Sequence, residues 1–119
     1  MKWNLDKSRP ICPQICELLC VKIASGEFAP NDRLLSVREV AVSAGVNPNT
    51  VQKSFEQLEG QGLIYSVRGS GWYVGENTEL AKETVNKTVY NKTCGYLMDM
   101  AQLGYTAEQT AQYIKEWNK

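Results

Sequence analysis

Amide and basic side chains are concentrated in the middle of this 119-residue chain, on either side of the dipeptide Gly45-Val46. Asn and Gln amides can pair with the edge of adenine, Arg pairs with guanine, and Lys or Thr often contacts phosphate. The candidate side chains of these types are Arg38, Asn47, Asn49, Thr50, Gln52 and Lys53. Each of them alone is better explained as a solvated polar residue. The whole set, in this arrangement, predicts contacts with double-stranded DNA.

Arg68 is a further candidate, because it opens the turn Arg-Gly-Ser-Gly. The two glycines allow the backbone to approach a phosphate or the minor groove without a clash from Cβ atoms. The alternative is an ordinary charged turn residue. Because Arg68 accompanies the candidate residues around Gly45, we favour a contact between Arg68 and DNA.

Two short helices must position these side chains. The first begins at Ser36, whose Ser-x-x-Glu pattern forms a capping box, and it ends at Gly45. The second begins with Asn47 as N-cap and a proline at the first helical position. Strands at 63–67 and 72–75 then form a β-hairpin. Two steeply crossed helices and a hairpin make a winged helix-turn-helix, which places its second helix in the major groove.

Further helices are predicted on both sides of this motif. A polar arm of ten residues precedes a helix over 10–25, whose apolar face is Ile11, Ile15, Leu18, Leu19 and Ile23. A polar connection at 76–79 precedes a helix from about residue 80 to 103. A final helix begins with a Thr-x-x-Gln capping box at Thr106. The expected fold is therefore mainly α with a small β-hairpin wing. Residues 1–75 form the DNA-binding domain, and residues 76–119 form a two-helix tail for dimerisation or effector binding.

The tail predicts self-association. A helical hairpin of about 40 residues cannot bury its own apolar face, so it must pack on the first domain or on a second copy. The proposed dimer contacts are Leu80, Val89, Tyr96, Met100, Leu103, Ile114 and Trp117. A homodimer suits a palindromic operator. The aromatic residues also leave open a small-molecule effector, bound near Tyr96 or Trp117 between the tail and the DNA-binding domain.

Composition argues against several other classes of protein. The chain has no histidine, the commonest general base, and it has no paired-carboxylate motif, phosphate loop or Cys-x-x-Cys motif, so an enzyme is not expected. Residues 1–75 carry eight basic and seven acidic side chains, so DNA affinity must come from local clustering. This balance leaves a winged-helix module for protein–protein interaction as the alternative. No run of about 18 apolar residues and no signal peptide is present, which predicts a cytoplasmic protein without membrane contact.

Four cysteines raise the question of a metal or redox site. Cys12, Cys16 and Cys20 recur every four residues, and Cys94 is distant in sequence. Three cysteines along one helix span about 12 Å at 1.5 Å per residue, too far for one zinc ion. We therefore expect these thiols to pack as small apolar groups, and we expect no cofactor and no metal ion.

Residues 9–75 resemble the N-terminal domain of the GntR family of bacterial transcription regulators. Six segments carry this resemblance in order: Pro-Ile-x-x-Gln-Ile at 10–15, Ile-Ala-Ser-Gly-Glu-Phe-Ala-Pro at 23–30, Leu-x-Ser-Val-Arg-Glu-Val-Ala at 34–41, Gly-Val-Asn-Pro-Asn-Thr-Val at 45–51, Leu-Glu-x-x-Gly-Leu-Ile at 58–64 and Arg-Gly-Ser-Gly-Trp-Tyr-Val at 68–74. The family's Pro-Gly-Asp turn is Pro-Asn-Asp here. Because Asn tolerates a left-handed backbone, we expect Asn31 to keep this turn.

The resemblance implies a dimeric repressor or activator. By family position, Ser36 and Arg38 resemble DNA contacts at the first helix of the motif. The contacts implied on the recognition helix are Asn47, Asn49, Thr50, Gln52 and Lys53, and those implied on the wing are Arg68 and Gly69. The short tail resembles that of the YtrA-like subgroup, whose members are dimers that often control transporter operons. We expect a homodimeric, sequence-specific transcription regulator, most simply a repressor, on a palindromic operator.

Overall fold

A computed structural model describes residues 2–117 of the chain. The elements in chain order are α1 (Ile11–Ala24), α2 (Val37–Ala44), α3 (Pro48–Gly60), β1 (Ile64–Val67), β2 (Gly71–Val74), α4 (Glu79–Gln102) and α5 (Ala107–Trp117). The prediction of a mainly α fold, with a winged helix-turn-helix and further C-terminal helices, is confirmed. The chain forms two compact units, one up to Val85 and one from Asn86 onward. The functional division predicted after residue 75 stays a prediction.

Local capping explains where the two central helices begin. The Ser36 hydroxyl accepts a hydrogen bond from Glu39 N, and Ser36 N donates to Glu39 Oε1, both at 3.0 Å. This is the predicted capping box, and it satisfies two N–H groups that a helix start leaves free. Asn47 Oδ1 accepts from Asn49 N at 2.8 Å, and Pro48 is the first residue of α3. Both predicted helix starts are therefore confirmed.

The first unit packs around Phe55, which is fully buried. Its ring meets Trp72 edge-on, with centroids 5.4 Å apart. The buried apolar residues of the core come from α1, the segment before α2, α2, α3, the residue before the hairpin, the hairpin itself and the start of α4: Ile15, Cys16, Leu19, Cys20, Ile23, Leu34, Val40, Ala41, Val51, Phe55, Leu58, Leu63, Ile64, Val74 and Ala81. The predicted face of the first helix is buried at three positions, whereas Ile11 and Leu18 are half-buried.

The N-terminal segment packs on the first unit instead of forming a polar arm. Trp3 and Leu5 are half-buried against the core. Trp3 Nε1 donates to Ser43 Oγ, and Lys7 Nζ donates to the carbonyl oxygen of Gly45, both at 3.0 Å. The expectation of an arm was wrong for these residues, because the two apolar side chains in a polar stretch supply enough contact to hold it on α2.

The hairpin has a third backbone partner that the sequence did not predict. β1 and β2 pair antiparallel, with Ile64 opposite Val74 and Val67 opposite Gly71. Along the other edge of β2, residues 31–34, hereafter the linker strand, form three backbone hydrogen bonds of 2.8–2.9 Å with it. Asn31 begins this strand with φ 66°, the left-handed conformation expected there. The linker before α2 is therefore part of a small sheet.

The second unit buries very little. A Thr106–Gln109 capping box starts α5, as predicted, with hydrogen bonds of 2.8 and 3.1 Å. Among residues 86–117, Thr110 is the one buried residue. Large apolar side chains in this range are exposed at Val89, Tyr90, Tyr96, Met98, Leu103, Tyr105, Tyr113, Ile114 and Trp117. Among residues 2–117, no helix combines the length and the apolar character that crossing a membrane requires.

Candidate nucleic-acid interface

A tight turn connects the two helices of the motif. Gly45 ends α2 in the left-handed conformation, with φ 69° and ψ 41°, and Val46 N donates to Ala41 O at 3.0 Å. A residue with a Cβ atom is strained at this φ, so glycine is the natural choice. The chain then enters α3 within three residues. This turn fixes the start of α3 relative to α2, and Val40 and Val51 are both fully buried in the shared core.

Helix α3 divides cleanly into a buried and an exposed face. Val51, Ser54, Phe55 and Leu58 point into the core. The predicted contact residues fall on the other side, where Asn47, Asn49, Gln52 and Lys53 are exposed and Thr50 is half-buried. The structure therefore brings together the residues that the sequence assigned to a recognition helix.

The exposed residues of α3 differ in how free their side chains are. Within residues 2–117, no hydrogen bond or ion pair engages the side chains of Asn49 and Lys53. Gln52 Nε2 donates to Glu56 Oε2 at 3.2 Å, along the same helix. Asn47 Oδ1 is held by its capping bond. Asn49 and Lys53 are thus available to a partner without breaking an internal contact.

The first turn of α2 presents one free positive charge. Arg38 is exposed, and within residues 2–117 its guanidinium has no hydrogen bond or ion pair. Its neighbour Glu39 is held in the capping box. The backbone N–H of Ser36, then its hydroxyl, keep the pKa of Glu39 below its ordinary value, and the charge of Arg33 acts in the same direction. The carboxylate is therefore ionised at neutral pH and satisfied within the cap, which leaves the Arg38 charge unpaired.

The tip of the wing is shaped by glycine and by hydroxyl groups. Gly69 and Gly71 adopt φ of 79° and 130°, and Arg68 is exposed beside them. A hydrogen bond joins Ser70 Oγ and the Tyr73 hydroxyl across the turn. The ring of Tyr73 stacks on Tyr65, with centroids 5.7 Å apart. The hairpin thus presents Arg68 on a turn whose positive φ angles favour glycine.

Two basic residues near these segments were not singled out from the sequence. Arg33 Nη2 donates to the carbonyl oxygen of Ser70, in the wing turn, at 2.9 Å. Lys7 contacts Gly45, in the turn before α3. The apolar Leu34 after Arg33 was a weak signal for an extended segment. The turn residues at 30–32 made that signal hard to recognise. No local pattern could place Lys7, because its partner lies 38 positions away.

Two of the four cysteines lie in the core of the first unit. Cys16 and Cys20 are buried, Cys12 and Cys94 are half-buried, and all four are free thiols. Cys16 Sγ lies 3.5 Å from the carbonyl oxygen of Ser54, and burial raises the pKa of Cys16 to about 12. Burial also raises the pKa of Cys20. Within residues 2–117, no cluster of three potential ligand side chains could hold a metal ion.

An exposed polar helix face beside a basic, glycine-rich hairpin defines the class of winged helix-turn-helix proteins that bind DNA. Residues 13–74, more than half of the chain, match the family described as "Bacterial regulatory proteins, gntR family". The chain therefore belongs to the GntR family of DNA-binding transcription regulators, which are not enzymes.

Individual relatives extend the similarity over the tail. The chain is 33% identical over its full length, and over 98% of the relative, to the uncharacterized HTH-type transcriptional regulator YhcF of Bacillus subtilis. It is 34% identical to the HTH-type transcriptional repressor YtrA of B. subtilis, over 92% of this chain and 85% of YtrA. A GntR family transcriptional regulator from Listeria monocytogenes has a similar solved structure, with 34% identity, a TM-score of 0.82, and coverage of 94% of this chain and 98% of that one. The similarity thus includes proteins with a tail of comparable length.

Proposed function

We propose that the chain is a homodimeric repressor that binds a palindromic operator, with one winged helix on each half-site. The observation that carries this proposal is the exposed face of α3, where Asn49 and Lys53 have no internal partner within residues 2–117. An amide and a cation in the first two turns of a recognition helix suit base edges and phosphate. The N-terminal end of α3 adds a favourable dipole for a phosphate group.

Two further segments complete the proposed contact with DNA. Arg38, at the start of α2, anchors a phosphate or a guanine, and Arg68 reaches phosphate or the minor groove from the wing. The backbone of Gly69 can approach the sugar–phosphate chain closely, because it carries no Cβ atom. Ser36 and Asn47 chiefly hold the two helix starts in place, since their side-chain oxygens are engaged in caps. Thr50 and Gln52 border the base-reading residues and complete the contact set.

The second unit supports self-association. Most of its large apolar side chains are exposed, Met100 is half-buried, and Thr110 is the one residue buried among 86–117. Residues 76–119 carry five basic and six acidic side chains, so charge repulsion does not oppose pairing of two copies. We assign the dimer surface to Val89, Tyr96, Met100, Leu103, Ile114 and Trp117. Leu80 is left out of it, because its side chain is half-buried against the core of the first unit.

The sign of regulation and the target are inferred by similarity. The relative YtrA is named a repressor, and it covers most of this chain. The YtrA-like tail suggests a transporter operon as the target. Repression follows simply if the dimer occupies an operator that overlaps a promoter. A small-molecule effector acting through the tail remains an expectation from the sequence.

The first experiment measures binding of the full chain to the DNA upstream of its own gene, at two salt concentrations, with the mass of the complex determined. We expect two chains per palindromic site and an affinity that falls steeply with salt, because each neutralised phosphate releases counterions. A scrambled duplex of equal length and composition is the control. Equal affinity for both duplexes contradicts sequence-specific recognition, and a one-chain complex contradicts the dimer.

A further inference from the structure

We propose that Arg33 is a positioning residue that fixes the wing for DNA binding. This inference rests on the proposed contact of the wing with DNA, and it adds a residue outside the segments that carry the contact. Arg33 lies in the linker strand, ahead of α2, and is far from the wing in sequence. In the folded chain its side chain reaches the turn that carries Arg68.

The contacts of the Arg33 guanidinium lie on the turn itself. Nη2 donates to the carbonyl oxygen of Ser70 at 2.9 Å. Nε and Nη2 each lie 3.5 Å from the point that a Cβ atom on Gly71 would occupy. A Cβ atom on Gly71 would be in ordinary van der Waals contact with the guanidinium, so the group lies directly against the turn. The group both bonds to the turn and fills the space beside it.

The backbone of Arg33 is fixed independently of its side chain. Arg33 pairs with Tyr73 across the edge of β2, and Leu34 N donates to Trp72 O at 2.8 Å. The side chain thus extends from one strand of a small sheet to the tip of its neighbour. Since the next residue, Leu34, is buried, the backbone of Arg33 is attached to the core of the first unit.

The contact of Arg33 with the wing turn at Ser70 and Gly71, hereafter the brace, matters because the hairpin alone has low stability. Two four-residue strands are marginally stable alone, and the turn holds two glycines with positive φ. Ordering such a turn on DNA costs conformational entropy, and a turn that is fixed beforehand avoids that cost. A planar guanidinium can donate to the carbonyl while it lies against the backbone. A lysine ammonium offers the charge without this geometry.

The test is a double-mutant cycle of Arg33→Ala and Arg68→Ala, using a duplex that the unaltered protein selects from a random-sequence pool. We expect each substitution to weaken binding about tenfold. The double variant should bind little worse than either single variant, because Arg68 cannot be placed once the brace is lost. Arg33→Lys should not restore affinity. Hydroxyl-radical footprints of Arg33→Ala should lose protection at the wing and keep it at the major groove.

The controls separate positioning from other roles. Lys82→Ala removes an exposed charge from α4, where Lys82 pairs with Glu79, and should leave binding unchanged. Circular dichroism and thermal unfolding of every variant verify the fold. Additive losses that Arg33→Lys rescues would mean that Arg33 binds phosphate directly, which overturns a positioning role. If Arg68→Ala lowers DNA affinity and Arg33→Ala does not, the positioning role of Arg33 is refuted and the wing contact stands. No loss with Arg68→Ala refutes the wing contact, and the brace with it.

Discussion

The two units of this chain differ in where their apolar side chains lie. Every buried apolar residue among 2–117 lies at or before Ala81, whereas in the range 86–117 the buried residue is a threonine. On α3 the exposed face is polar, but on α5 the exposed residues include Tyr113, Ile114 and Trp117. The first unit carries its own core and offers polar groups to a partner. The second exposes apolar groups, which are typical of surfaces that bind another molecule.

This difference indicates where stability resides. A buried core stabilises a domain in proportion to the apolar area removed from water, at about 25 cal/mol per Å². The winged helix gains this stabilisation within one chain. In the proposed dimer the tail gains it by association, and its stability then depends on protein concentration. Variants matched in size or exposure can test this contrast.

The largest effect is expected at the centre of the first core. Phe55→Ala should lower the free energy of unfolding by about 3–5 kcal/mol, because it removes a fully buried ring and leaves a cavity. Phe28, the chain's other phenylalanine, is half-buried and provides the matched control. Denaturant unfolding of Phe28→Ala should show a clearly smaller loss. Equal losses would mean that the core is not centred on Phe55.

The next effect concerns DNA rather than folding. Arg38→Ala should cost about 1–3 kcal/mol of operator binding, because it removes an unpaired charge from the start of α2. Arg9, an exposed arginine that pairs with Asp6 at 3.0 Å, is the matched control. Titrations at fixed salt should show little change for Arg9→Ala. Unchanged binding by Arg38→Ala would remove this residue from the interface.

Two apolar residues of similar exposure test whether the tail carries the dimer surface. Leu103 is 74% exposed in the second unit, and Val42 is 78% exposed on α2. Leu103→Glu should weaken dimerisation at least tenfold, or about 1.4 kcal/mol, because a charge would be buried between the two copies. Val42→Glu should leave the dimer intact. Sedimentation velocity measures both, and equal behaviour of the two variants would argue against a dimer surface on the tail.

The last effect is a pH dependence within the first core, which appears only under alkaline conditions. Burial raises the pKa of Cys16 to about 12, whereas an unfolded thiol titrates near 8.5. The unfolded state loses its proton first, so stabilisation that is complete below about pH 8.5 is lost as pH rises towards 12. Denaturant midpoints should fall over this range, and they should fall less steeply for Cys16→Ala. Identical pH profiles would show that the buried thiol does not control this loss.

Much of the fold could be predicted because its signals are local. The capping boxes at Ser36 and Thr106, and the left-handed glycine at position 45, each act within four residues of chain. The polar face of α3 followed from residue type and helical spacing. These signals place the elements without any knowledge of the tertiary structure.

What the sequence could not predict depends on partners distant in the chain. The linker strand bonds to residues about 40 positions away, and Lys7 reaches Gly45 across 38 positions. Neither pairing has a local pattern. Leu80 was similarly assigned to the tail by its helix, although its side chain contacts the core of the first unit. Arg33 was missed for the same reason, since its role depends on the strand beside it.

The linker strand also has a consequence for the order of folding. Its pairing with β2 closes a loop of about 40 residues, and the entropy cost of closing a loop grows with its length. The contacts between α2 and α3 are local and form sooner. We therefore expect the linker strand to pair with β2 after the α2–α3 contacts have formed, and to separate from β2 before those contacts are lost. The opening rate of this small sheet, rather than that of global unfolding, then limits how long a wing contact with DNA can persist.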